Sequence, residues 1–169
     1  DFKLIDDFAD ECFMPLTVGG GLMTSEDIAK TLEAGADKVS LNSVLFENPE
    51  FAKEAVSVFG SQCIVASIDV RKRVDGKYEL YSHSQKKINF SMEETLKFLM
   101  DSGVGEILLN NVDLDGLMSG YDLKLINYVF SLTRIPLIVA GGASSPSDCS
   151  SAVKAGASAV AAASIFHFT

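Results

Sequence analysis

One offset limits what this chain can fold into more than any other feature. Residues 121 positions apart repeat one another: Val18 with Val139, Gly20 and Gly21 with Gly141 and Gly142, Asp27 with Asp148. The echo continues through Ala34-Gly35-Ala36 with Ala155-Gly156-Ala157, Val39 with Val160, and Ser43 with Ser164. Each block reads as an apolar run, a glycine-rich turn, a capped helix, an Ala-Gly-Ala helix end, a second apolar run and a serine. Repetition of a whole supersecondary unit implies pseudo-symmetry within one domain. An open doubly wound sheet does not require that symmetry, whereas a ring of equivalent units produces it.

Strand and helix signals alternate along the chain. Strands are expected at Pro15 to Val18, Lys38 to Leu41, Gln62 to Ile68, Glu106 to Leu109, Pro136 to Ala140 and Ser158 to Ala162. Helices are expected from Thr24 to Ala34, over Pro49 to Val58, from Ser91, over Tyr121 to Ser131, and from Ser145 to about Ala155. Thr24 and Ser91 each precede an acid by three residues, the signature of a capping box. Ser145-Pro146 combines an N-cap serine with proline at the first helical position. Asp75-Gly76, between alternating residues of 71–82, reads as a hairpin. Parallel strands need crossovers, and these run right-handed. The expected class is therefore α/β, and the repeat favours a (β/α)8 TIM barrel over an open sheet. At the start, Phe2, Ile5, Ala9 and Cys12 share a helical face. The chain is thus expected to begin inside a helix, as a fragment of a larger barrel.

Composition removes some functions. The 169 residues carry a net charge of -9, which argues against nucleic acid or an anionic membrane as the main partner. No apolar run approaches the ~20 residues of a membrane span. Cys12, Cys63 and Cys149 are scattered, without a C-x-x-C pair, and fit a reduced cytoplasmic protein better than a disulfide scaffold. His83 and His167 are far apart, so no histidine-rich metal site is expected.

The motifs favour phosphate chemistry. A glycine after a strand lets an anion approach the backbone, and the following helix start offers N–H groups and a positive dipole end. Each block adds a small polar residue one strand later, at Asn42-Ser43 and at Ala163-Ser164. Two such sites suit an elongated substrate phosphorylated at both ends. Asp69 closes the strand run IVASID, where a barrel carboxylate faces the active site and can act as acid or base. Asp113 and Asp115, in NNVDLDG, either position substrate or shape a turn. Arg71, Lys72, Lys86 and Lys87 form a basic group around the hairpin, either screening an anion or simply solvated. Cys63 is expected in the core and His167 to be packed; His83 has no evident partner.

Together, PLTVGGG, AGADKVSLNS, IDVRKRVDG, GEILLNNVDLDG, SGYD and AASIFHF resemble the cyclase subunit of imidazole glycerol phosphate synthase over essentially the whole chain. The resemblance implies a (β/α)8 barrel of two similar halves, represented here by one partial domain, residues 1–169, covering about strands 3 to 8. The first two strands and the last helix would be missing. It implies a lyase-type cyclisation without cofactor or metal, using ammonia from a partner glutaminase. The substrate would be a bis-phosphorylated aminoimidazole carboxamide ribonucleotide. The products would be imidazole glycerol phosphate, for histidine biosynthesis, and an aminoimidazole carboxamide ribotide. Asp69 matches one of the family's two catalytic aspartates; the other belongs to the absent first strand. Gly21, Asn42 and Ser43 match one phosphate site, and Asp115, Gly116, Gly142, Ala163 and Ser164 the other. Asn110-Asn111 stand where the family usually has Thr-Ser, and Leu114 and Leu117 replace a common Arg and Thr. These departures leave open a diverted paralogue that supplies ammonia for amidination in bacterial surface-sugar biosynthesis. On its own the fragment is expected to expose core and to be inactive.

Overall fold

A computed structural model describes residues 2–11, 13–82, 88 and 90–167. The elements alternate along the chain: α1 (Phe2–Glu11), β1 (Thr17–Gly19), α2 (Ser25–Glu33), β2 (Lys38–Leu41), α3 (Ser43–Glu47), α4 (Glu50–Phe59), β3 (Ile64–Lys72), β4 (Tyr78–Tyr81), α5 (Met92–Ser102), β5 (Glu106–Asn111), α6 (Leu123–Leu132), β6 (Leu137–Ala140), α7 (Pro146–Lys154), β7 (Ala159–Val160) and α8 (Ser164–His167). Six strands are parallel and lie in the order β1-β2-β3-β5-β6-β7. They curl into a half-barrel, an incomplete (β/α)8 TIM barrel. β4 is the exception. It pairs antiparallel with β3 from Asp69↔Tyr81 to Lys72↔Tyr78. Because β5 flanks the same Asp69 and Val70, β4 takes the opposite side of β3, past the point where β2 ends.

Strand alternation sorts the two faces of the sheet. Val39 and Leu41, then Ile64, Ala66, Ile68 and Val70, then Ile107 and Leu109, are buried in the main core. Ile28, Ala52, Ala55, Leu96, Leu99, Leu125, Ile126, Val129 and Ala152, from the helices, complete that core. Each fully buried aliphatic side chain contributes about 1.5–3 kcal/mol, so this layer dominates the stability. The alternate residues face the concave side and are largely polar: Lys38, Ser40 and Asn42; Ser67 and Asp69; Glu106 and Asn110. On that face Lys38 Nζ reaches across β3 to Glu106 Oε1 at 2.6 Å.

Several element ends differ from the sequence reading, each for a local reason. β1 begins at Thr17 rather than Pro15: proline has no N–H for the ladder, and the Leu16 N–H goes to the Asp37 carboxylate at 2.7 Å. Ser61–Cys63 forms a 3-10 turn, so β3 starts at Ile64 and runs on to Lys72 as the first arm of the hairpin. A separate short helix, α3, precedes Pro49, and the sequence reading does not anticipate it. Asp122 caps α6 by accepting from the Lys124 and Leu125 N–H groups, so that helix begins two residues later than expected. β7 is limited to Ala159–Val160, although Ser158 and Ala161 continue its ladder onto Leu137 and Val139.

Candidate functional site

Parallel strands place all their C-terminal ends on one rim, and the candidate residues lie there. At its centre Asp69 is 8% exposed, and each of its carboxylate oxygens accepts one amide hydrogen bond. Asn42 Nδ2 donates to Oδ2 at 2.9 Å, and Asn110 Nδ2 donates to Oδ1 at 2.9 Å. The donors come from the ends of β2 and β5, the two strands that flank β3. Beside this trio lies a cleft of about 170 Å³, lined by Gly20, Gly21, Leu22, Met23, Ser40, Asn42, Ser43 and Asp69. The structure therefore gathers the first set of expected phosphate residues and the expected acid around one opening. Gly20 and Gly21 take φ of +100° and +73°, and neither has an atom within 4 Å of where a Cβ would stand.

The helix after this turn does not offer its start as freely as expected. The Asp27 carboxylate folds back over it, accepting from the Met23 N–H at 3.0 Å, the Thr24 N–H at 2.9 Å and the Thr24 hydroxyl at 2.8 Å. The backbone bond from Met23, then those from Thr24, hold Asp27 below the usual carboxylate range. The echo is faithful. Asp148 takes the same place over α7, receiving the Ser144 and Ser145 N–H groups and the Ser144 hydroxyl. It too is held low, chiefly by the Ser144 hydroxyl. At both positions the protein's own carboxylate takes up the two N–H groups just ahead of the helix.

The second expected set is arranged differently. Asp115 and Gly116 follow β5, Gly142 follows β6, and Ala163 and Ser164 follow β7, so three neighbouring strands bring them to one rim. None of them lines the cleft at Asp69. Gly142 is buried beneath the preceding loop: Gly120 donates to its carbonyl at 2.7 Å, and a Cβ on Gly142 would stand 2.3 Å from the Gly120 carbonyl oxygen. Gly116 is open, with φ of +78°. Asp115 is exposed, and its N–H bonds the Asn111 carbonyl.

The remaining candidates do not line the cleft at Asp69. Asp113 accepts from the Lys72 N–H at 2.7 Å and so pins the hairpin. Arg71 pairs with Glu79 at 2.6 Å and lies over the Tyr81 ring, and Arg73 pairs with Asp75 and Glu79. The hairpin thus neutralises much of its own positive charge. Cys12, His83, Lys86 and Lys87 lie outside the described residues. Cys63 is half-buried in the 3-10 turn rather than in the core, and His167 is exposed rather than packed. Among the described residues no cluster of His, Cys, Asp and Glu is arranged to hold a metal ion, and no helix is long and apolar enough to cross a membrane.

Sequence reasoning missed Asn110 as a partner of Asp69, and the Lys38–Glu106 pair. The two-residue strand period was the available signal. Lys38 and Asn42 share parity, as do Glu106 and Asn110, so each pair points to the concave face once one member does.

Fold and rim define the class: a (β/α)-barrel domain with a carboxylate at a strand end between two glycine-rich turns. The chain belongs to the family of histidine biosynthesis proteins, whose profile matches residues 1–169. Three curated relatives are similar to it throughout. A Campylobacter jejuni protein provisionally named imidazole glycerol phosphate synthase subunit hisF2 is 47% identical over 169 residues, all of this chain and 67% of the relative. Imidazole glycerol phosphate synthase subunit HisF of Dictyoglomus turgidum is 45% identical over 98% of this chain and 66% of its own length. The HisF subunit of Micrococcus luteus is 43% identical over 99% of this chain and 67% of its own. The chain spans about two thirds of the length of the relatives it matches.

Proposed function

We propose that these residues are the greater part of the cyclase subunit of an imidazole glycerol phosphate synthase, a lyase-type enzyme of histidine biosynthesis. The observation that carries this reading is the Asp69 carboxylate, fixed by two amides beside the open Gly20-Gly21 cleft, in a chain 45% identical to a HisF subunit. Asp69 serves as one half of an acid–base pair, moving a proton to or from the bis-phosphorylated aminoimidazole carboxamide ribonucleotide during ring closure. Gly21, Asn42 and Ser43 receive one phosphate through backbone and small polar groups. Asp115, Gly116, Gly142, Ala163 and Ser164 receive the other across the rim of β5, β6 and β7. Ammonia arrives from a glutaminase subunit, and the assembly works in the cytoplasm without a cofactor; the relatives' names, which call them subunits of a synthase, support an assembly of more than one chain. Residues 1–169 form one partial barrel domain.

The test uses the complete protein with ammonium salt and the bis-phosphorylated substrate, followed by absorbance. Turnover supports the cyclase reading. A folded protein that binds and stimulates a glutaminase yet leaves this substrate intact would overturn it. That result favours the paralogue that delivers ammonia for sugar amidination.

A further inference from the structure

Asp69 is held from both sides. Asn42 approaches Oδ2 from β2, and Asn110 approaches Oδ1 from β5, both at 2.9 Å. An ionised carboxylate only accepts hydrogen bonds, and an amide nitrogen only donates them. With one donor on each oxygen, the carboxylate plane is set by two strands that cannot move independently of β3. The parallel registers fix this arrangement: Leu41 pairs with Ala66, three residues short of Asp69, while Asn110 stands directly opposite Asp69. Asn110 is in turn seated by its own neighbour across the next strand pair. Its Oδ1 lies 3.1 Å from where a Cβ on Gly141 would stand, and that Cβ would also be 2.5 Å from the Asn111 carbonyl oxygen. The missing side chain at Gly141 leaves room for the amide.

We infer that Asn110 is a positioning residue that aims Asp69 at the substrate, completing a clamp with Asn42. The inference rests on the cyclase reading for the identity of the reaction, although the clamp itself does not depend on it. Asn110 needs no contact with substrate; it acts through the carboxylate it holds.

The test is carried out on the complete protein. Asn110→Ala removes the Oδ1 donor and lets the carboxylate rotate about its side-chain bonds. Misplacement of a reacting group by about 1 Å costs on the order of 100-fold in rate, so kcat should fall by roughly 30- to 100-fold while KM stays within about twofold. Asn110→Asp puts a second carboxylate against the first, and the acidic limb of the pH–rate profile should move upward. Equal kcat in wild type and Asn110→Ala, or a loss confined to KM, would overturn the inference while leaving the cyclase reading intact. A wild type without turnover would count against the reaction instead. The clamp is then judged by NMR: the Asn110 side-chain amide signal should titrate with pH in the wild type and stay still in Asp69→Asn. An amide signal indifferent to Asp69 overturns the inference in either case.

Discussion

Gly76 and Gly141 are glycine for different reasons, and a matched pair of substitutions separates them. Both have positive φ, +82° and +88°. Alanine at either site therefore carries backbone strain of about 1–3 kcal/mol. At Gly76, in the turn of the β3–β4 hairpin, that is the whole cost, because nothing lies within 4 Å of the new Cβ. At Gly141 the Cβ would meet the Asn111 carbonyl oxygen at 2.5 Å, the Asn111 nitrogen at 3.2 Å and the Asn110 side chain at 3.1 Å. Two of those atoms are backbone of a central strand, so relief requires β5 and β6 to part, an overpacking cost of about 1–3 kcal/mol more. At roughly 2–4 °C per kcal/mol for a domain of this size, Gly141→Ala should lower Tm by several degrees more than Gly76→Ala. Thermal unfolding of the two variants in the complete protein, with circular dichroism as the readout, measures the difference. Equal shifts, or a larger one at Gly76, would refute the argument that close approach of β6 to β5 is what requires glycine at 141.

Two further outcomes follow from the concave face and the caps. Replacing Lys38 by Met should destabilise by about 1–3 kcal/mol, because it strands the half-buried Glu106 carboxylate. Lys38→Met with Glu106→Gln should recover part of that loss, and a double-mutant cycle by urea unfolding gives the coupling. Asp27, Glu94, Glu93 and Asp148 all titrate below their ordinary values, each through bonds to a helix start or, for Glu93, chiefly the Tyr128 hydroxyl. Their folded-state values lie below the unfolded ones. The unfolded chain therefore binds more protons in the acid range, and stability falls as pH drops through and below the usual carboxylate range. Asp27→Asn with Asp148→Asn should flatten that acid limb in a Tm–pH series.

The barrel class was legible because two periodicities agreed. The echo of Gly20-Gly21 in Gly141-Gly142 announced equivalent units, and the capping residues Thr24, Ser91 and Ser145 marked where helices begin. All three caps form reciprocal boxes in the structure. Asp69 was legible from its place at the end of an apolar run. What escaped the sequence depended on distances across strands. Nothing local in NNVDLDG says that Asn110 will stand opposite Asp69, since that register is set by the core packing of β3 against β5. Likewise composition does not show that Asp27 and Asp148 turn back onto the N–H groups just ahead of their helices.

The most direct measurement compares the complete protein with its Asp69→Asn variant, supplied with ammonium salt and the bis-phosphorylated substrate. The substitution keeps the shape of the side chain and removes its capacity to take a proton. A positioned acid–base group contributes about 10²- to 10⁴-fold, so turnover should drop by at least the lower figure with the fold unchanged. A variant that turns over at the wild-type rate would contradict the account, because the clamp at the centre of the rim would then hold a residue the reaction does not use.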